Sequence, residues 1–191
     1  MTMRRTGQIT LIVTFLGFSW LAMQAVHEFG HVLAAVITGG KVSKVVLYPL
    51  AFSRTDLGRN PHPLVVVWAG PLAGVILPSL ALLIAHVSRW RLGWLFRFFA
   101  GFCLVANGVY IAFGPSEGGA DTAVMLANGS PRWVTMLFGI PSVLLGLYLW
   151  HRQGPHFGFG EARGNVDRRA VVWSAALFAA TVSAELIVNS R

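Results

Sequence analysis

The stretch that decides the fold of this chain reads Ala25-Val26-His27-Glu28-Phe29-Gly30-His31-Val32. It carries the pattern His-Glu-x-x-His inside an apolar run from residue 9 to residue 37, which contains no Lys, Arg or Asp. A run of this length predicts a membrane-spanning helix, because about 20 apolar residues cross the hydrocarbon core. Since a carboxylate at membrane depth is costly, Glu28 indicates a functional site.

Helical geometry brings the polar side chains of this pattern together. At about 100° per residue, His27 and His31 lie about 40° apart on one face, and Glu28 lies about 60° from His31. Two neutral imidazoles four residues apart can share one zinc ion, with a neighbouring carboxylate as general base. The pattern also arises by chance on exposed helices of soluble proteins, but its apolar setting favours a metal site. We therefore expect Zn²⁺ bound by His27 and His31, with Glu28 as the catalytic base.

Composition indicates a polytopic membrane protein in one compact domain, residues 1–191. The chain is 55% hydrophobic and 12% charged, with a mean hydropathy of +0.64. A formal charge of +8 would suggest nucleic-acid binding in a soluble chain, but here the arginines flank apolar runs, as membrane-flanking charges do. We therefore expect no nucleic-acid partner. The lone Cys103 excludes a disulfide framework and a cysteine metal cluster within this chain.

Five apolar runs predict five spans in an otherwise all-α fold. The four later runs cover residues 64–87, 92–113, 133–150 and 170–188, and the last carries Glu185 within reach of water. Between the first two spans, residues 41–48 are β-branched and predict a short strand, followed by a polar loop or a return strand at 51–62. An open edge at this strand, around Val45 and Val46, could bind an extended substrate or simply pack on the membrane surface.

Three further features leave alternatives open. Gly70-Pro71, Gly74 and Pro78 are expected to interrupt the second span, either for helix packing through Gly70-x-x-x-Gly74 or for a catalytic role. Asn107 in the third span either bonds a neighbouring helix or serves the site. The Gly- and Pro-rich segment 114–131 is either an exposed loop or a re-entrant segment lining a polar cavity.

These residues resemble the site-2 proteases, most closely their peptidase M50B-like branch. The pattern from His27 to His31 matches the zinc motif of that family, and Ala69-Gly70-Pro71 matches its Gly-Pro element. Asn107, Pro115 and Asp121, followed by an apolar patch at 123–126, match in order the segment that supplies the third zinc ligand. The resemblance covers roughly residues 10–130. The chain departs from the pattern at Asp121-Thr122, where Asp-Gly is usual, and at Gly74, where Asn is frequent.

The resemblance implies an intramembrane zinc metalloprotease of the cell membrane that cleaves membrane-spanning or membrane-associated proteins. Its catalytic core would be about residues 9–130, and the spans 133–150 and 170–188 would be additional. Asp121 would be the third zinc ligand, on a re-entrant or short helical segment. The expected substrate-binding residues are Asn107, Gly70, Pro71, Val45 and Val46.

Several alternatives remain at this point. Zinc also accepts Glu117, four residues before Asp121, as a third ligand. The same fold could serve a membrane protein that binds helices without cutting them. A metal transporter using His27, Glu28, His31 and Asp121 would need charged residues on several spans, whereas one span carries most of the ligands. The distribution of basic residues favours a cytoplasmic N-terminus. The family resemblance favours the opposite orientation. The oligomeric state is not indicated.

Overall fold

A computed structural model describes residues 3–49, 52–117 and 120–189. Residue 51, where the expected loop or return strand begins, and Gly118-Gly119, within the expected re-entrant segment, lie outside the described residues. The elements in chain order are α1 (Met3–Ile37), β1 (Val42–Val46), β2 (Arg54–Leu57), α2 (Pro63–Val87), α3 (Gly93–Phe113), α4 (Asp121–Ala127), α5 (Arg132–Trp150) and α6 (Arg168–Asn189). Two short 3-10 helices, Gly154–Phe157 and Gly160–Ala162, lie between α5 and α6.

Five helices in the described part of the chain, α1, α2, α3, α5 and α6, are long and apolar enough to cross a membrane. This confirms the predicted number of spans and the all-α class. Helix α1 has 35 residues and is about 52 Å long, so it must tilt or extend beyond a hydrocarbon core of about 30 Å. Because α1 is one continuous helix, His27 and His31 lie about one turn apart on the same helix.

Two expectations about individual residues were wrong. Helix α2 continues through Pro71 and Pro78 without interruption, because packing against neighbouring helices lets membrane helices tolerate proline. Glu185 does not reach water: it is 4% exposed in α6, against the rest of the bundle.

The spans are connected by close helix contacts. Helix α1 packs against α2 and α6, and α3 packs against α2 and α5. Glycines bring α3 and α5 together: a Cβ on Gly101 would lie 3.0 Å from the Gly146 carbonyl oxygen, and one on Gly108 would lie 2.7 Å from that of Gly139. The backbones approach this closely because the paired residues are glycines, which have no side chain.

The two strands form an antiparallel hairpin directly after α1, with Val45 opposite Thr55 and Val46 opposite Arg54. The pairing is irregular between Val42 and Lys44, which marks a bulge. This confirms the short β element after the first span, and it selects the return strand over the polar loop. Helix α4 likewise shows that segment 114–131 contains a short helix, beginning at Asp121.

Candidate metal centre

The two histidines of the motif face each other on α1. His27 and His31 are both 7% exposed, and their ring centroids lie 4.8 Å apart. Their Nε2 atoms are separated by 3.0 Å. The helix thus directs the two nitrogens toward one point, as the sequence spacing predicted.

Asp121 reaches the same point from α4, of which it is the first residue. Its Oδ2 lies 2.8 Å from His27 Nε2 and 3.3 Å from His31 Nε2. Within residues 3–49, 52–117 and 120–189, these three residues form the one group whose ligand atoms are close enough to hold a metal ion, all within 4.8 Å of one another. Glu117 is exposed and lies outside this group.

The partners of the Nδ1 atoms determine the tautomer of both rings. His31 Nδ1 lies 2.8 Å from the Val66 carbonyl oxygen, which only accepts hydrogen bonds. His27 Nδ1 lies 2.7 Å from Asn107 Oδ1, and the Asn107 amide nitrogen donates to the Cys103 carbonyl at 2.9 Å. This second bond orients the amide so that its oxygen faces the ring. Each Nδ1 therefore carries the proton, and in the neutral ring each Nε2 presents a lone pair.

Three acceptor atoms consequently meet in a largely buried place, where both histidines are buried and Asp121 is half-buried. Two imidazole lone pairs and a carboxylate oxygen repel one another unless a positive charge lies between them. Nitrogen and oxygen donors of this kind are the ligands that zinc prefers, and three protein ligands leave a fourth position open. The donor set of His27, His31 and Asp121 thus fits a divalent metal ion.

The carboxylate of Glu28 lies beside this group but belongs to a different contact. Glu28 is 6% exposed, and its Oε2 accepts a hydrogen bond of 2.7 Å from the hydroxyl of Thr55 on β2. One turn earlier on α1, Gln24 Oε1 accepts the backbone N–H of Ser53 at 2.9 Å. Two successive turns of α1 therefore hold the hairpin against the site.

Helix α2 approaches the site through its glycines. A Cβ on Gly70 would overlap the His31 ring and lie 2.9 Å from His27 Nε2. A Cβ on Gly74 would lie 2.6 Å from both terminal atoms of the Asn107 amide. Only glycine fits at these two positions, so the Gly70-x-x-x-Gly74 pattern packs α2 against the site residues.

Of the residues expected to bind substrate, Asn107 and Gly70 contact the histidines. Pro71 is buried within α2. Val45 and Val46 are half-buried on β1, the strand paired with the one that contacts Glu28. These placements leave their role toward a substrate a prediction.

Several contacts were not anticipated from the sequence. Thr122, which replaces the expected glycine, is fully buried and donates to the Tyr110 carbonyl at 3.1 Å. The Tyr110 hydroxyl in turn accepts the backbone N–H of Asp121 at 3.1 Å. Together these bonds fasten the start of α4 to the end of α3. Gln24 could have been found by its place one turn before Glu28, whereas the Val66 carbonyl leaves no signal in a sequence.

One of the comparisons with known proteins identifies a family for this chain. A family model described as Peptidase M50B-like matches residues 8–114, which is more than half of the 191-residue chain. The matched region contains the motif on α1 together with Gly70 and Asn107, and it ends before Asp121. No curated protein and no solved structure matches the chain.

Proposed function

The chain belongs to the Peptidase M50B-like family, and we propose from this membership and from the site that it is an intramembrane zinc metalloprotease. The observation that carries the proposal is the convergence of three acceptor atoms, from the buried His27 and His31 and the half-buried Asp121, beside the helix that also carries Glu28. This group lies among α1, α2 and α3, which are long and apolar enough to cross a membrane. The reaction is therefore the hydrolysis of a peptide bond at membrane depth.

His27, His31 and Asp121 would hold the zinc ion. When bound, zinc supplies Lewis acidity, which makes water nucleophilic near neutral pH and polarises a carbonyl group. Asn107 and the Val66 carbonyl orient the two imidazoles through their Nδ1 protons. Such contacts keep the Nε2 lone pairs directed at the metal and raise ligand basicity.

Glu28 is the proposed general base. It accepts the proton of the attacking water on its carboxylate and then returns this proton to the nitrogen of the departing amine. Burial favours both transfers because competing water is excluded from the carboxylate. The Thr55 hydroxyl must leave Glu28 Oε2, or share it, when the carboxylate takes a proton from water.

The proposed substrate is a membrane-spanning or membrane-associated protein, cleaved in the cell membrane. In a helix the carbonyl and N–H groups satisfy each other, so the substrate must unwind locally before cleavage. The hairpin would receive this extended segment; in support, Gln24 on α1 accepts the backbone N–H of Ser53 beside the hairpin, so the site already holds extended backbone. We place substrate pairing at the open edge of β1, around Val45 and Val46, with Gly70 and Pro71 of α2 behind the site.

The test combines metal content with cleavage. Protein purified in lipid nanodiscs should contain one zinc per chain by elemental mass spectrometry and should cleave a model transmembrane substrate. Glu28→Gln should keep the zinc and abolish cleavage, because Glu28 is a base and not a ligand. Glu161→Gln is the matched control, because Glu161 is exposed in the loop before α6.

Each departure from this result has a distinct meaning. Loss of zinc in Glu28→Gln would make Glu28 a ligand. If the wild-type protein holds zinc and captures a membrane substrate but does not cleave it, the chain is a non-catalytic binding protein of the same fold.

A further inference from the structure

The positive charge of the chain is concentrated at one end of the helix bundle, which we call the arginine end. Helices α1, α3 and α6 begin there, and α2 and α5 end there. It carries nine arginines, no lysine and two acidic residues, Glu161 and Asp167, which leaves +7 of the total charge of +8. The nine are Arg4, Arg5, Arg89, Arg91, Arg97, Arg152, Arg163, Arg168 and Arg169.

Few of these guanidinium groups are used inside the protein. Arg91 Nε lies 3.5 Å from Asp167 Oδ2, and Arg97 donates to the carbonyls of Tyr148 and His151. The side chains of the other seven make no hydrogen bond or ion pair with any residue that the structure describes. All seven are exposed and free to bind an external anion.

Arginine also occupies backbone positions of this end where glycine is usual. Three arginines of this end, Arg89, Arg152 and Arg163, have φ angles of 51°, 62° and 46°. Within the described ranges they are the only residues other than glycine with positive φ. A left-handed conformation costs a residue with a side chain about 1–2 kcal/mol, and glycine would avoid this cost. All three lie at the end of a helix, where a left-handed residue commonly terminates the helix and glycine is usual, yet here arginine stands at each position.

The surroundings of these arginines combine charge with apolar surface. A cavity of about 260 Å³ is lined by Arg91, Trp94, His156 and Asn165, among others, and the rings of Trp94 and His156 stack with centroids 4.8 Å apart. A second cavity, of about 460 Å³, lies at the start of α6. There Arg168 and Arg169 adjoin Val172 and Trp173, whose side chains are 61% and 54% exposed.

We propose that the arginine end binds the headgroups of anionic phospholipids. A guanidinium group binds a phosphate through two parallel hydrogen bonds, which a lysine cannot do. The exposed apolar side chains beside Arg168 and Arg169 provide contact for acyl chains, which a nucleic acid does not have. Burial, and then the charge of Arg97, lower the pKa of His156, so this ring is neutral at neutral pH and the positive charge of its cavity comes from Arg91.

The main experiment compares two matched triple variants by native mass spectrometry, in mixtures of phosphatidylglycerol and phosphatidylcholine. Wild-type protein should retain phosphatidylglycerol in preference to phosphatidylcholine, less so at high salt. Arg91→Gln/Arg168→Gln/Arg169→Gln should lower this preference about tenfold or more. Lys41→Gln/Lys44→Gln/Arg59→Gln removes the same charge from the opposite end and should leave the preference unchanged.

A second variant separates lipid binding from folding. Arg89→Gly/Arg152→Gly/Arg163→Gly relieves three left-handed positions, so its melting temperature in detergent should equal or exceed that of wild type. Its preference for phosphatidylglycerol should nevertheless fall. A purely structural role for these arginines would lower the melting temperature and leave lipid binding intact.

Two results would overturn the proposal. Equal loss of lipid preference in the variants of both ends would mean that only total charge matters. The arginine-end variant could instead lose binding to a short oligonucleotide while its lipid preference stays unchanged. The ligand of this end would then be a nucleic acid. Because neither measurement involves zinc or cleavage, the outcome is independent of the proposed protease activity.

Discussion

Asn107 is a polar residue inside an apolar helix, and the two ends of its amide have different partners. The amide oxygen accepts from His27 Nδ1 and the nitrogen donates to the Cys103 carbonyl, while Gly74 leaves room for the group. The sequence left open whether Asn107 bonds another helix or serves the site. The contact with His27 does both, since it connects α3 to α1 through a proposed zinc ligand.

We expect Asn107→Leu to weaken zinc binding about 10- to 100-fold, because His27 loses the acceptor that orients its ring. Asn107→Asp keeps an acceptor at this position and should retain most of the affinity. Competition with a chelator of known affinity measures both variants. Ser142→Ala, which removes a buried hydroxyl from α5, is the control. Equal affinity in Asn107→Leu and wild type would remove Asn107 from the metal site.

The two carboxylates before α5 offer a direct comparison of candidate ligands. Asp121 Oδ2 lies within 3.3 Å of both Nε2 atoms, whereas Glu117 is exposed. Asp121→Asn should therefore lower zinc content and cleavage at least about tenfold, and Glu117→Gln should change neither measurably. Elemental analysis and a cleavage assay on the same preparations give both values. The reverse ranking would make Glu117 the ligand.

At the scale of elements, the site depends on how closely α2 approaches α1. Gly70 allows this approach, because any larger residue would occupy the space of the His31 ring. We expect Gly70→Ala to lower zinc affinity about tenfold or more, although alanine is the better helix former. Gly93→Ala is the control, since a Cβ there would have its nearest neighbour at 3.7 Å. Unchanged zinc binding in Gly70→Ala would show that α2 adjusts freely.

The hairpin is the second element that shapes the site. Gln24 and Glu28 hold it to α1 through Ser53 and Thr55, and the rings of Trp20 and Phe52 meet edge to face with centroids 6.0 Å apart. These contacts follow one face of α1 over three turns. The catalytic carboxylate proposed here is therefore covered by a small sheet, and substrate access involves this sheet.

At the scale of the whole molecule, the metal and the fold make separate contributions. The spans pack through apolar contacts and glycine surfaces along their lengths, whereas the proposed metal ligands come only from α1 and α4. Removal of zinc by a chelator should abolish cleavage while the helical circular dichroism in nanodiscs remains. Added zinc should restore activity. The melting temperature should be higher with zinc than without, since a ligand of the folded state stabilises it. Loss of helical signal on chelation would contradict this separation.

The sequence by itself determined the spans, the hairpin strand and the pairing of His27 with His31. These follow from local patterns: apolar length, β-branched residues before a proline, and the 3.6-residue period of one helix. Hydropathy did not predict that α2 continues through Pro71 and Pro78 or that Glu185 is buried, because both depend on neighbouring helices.

Only the tertiary structure decided which other groups meet the motif. Asp121 lies 94 positions after His27, and Asn107 lies 80 positions after it. The packing of α2, α3, α4 and the hairpin against α1 brings Asp121, and not Glu117, to the histidines. It also places the Val66 carbonyl at His31 and the Thr55 hydroxyl at Glu28. A local pattern directs side chains along one helix, but the partners they meet depend on the packing of distant segments in three dimensions.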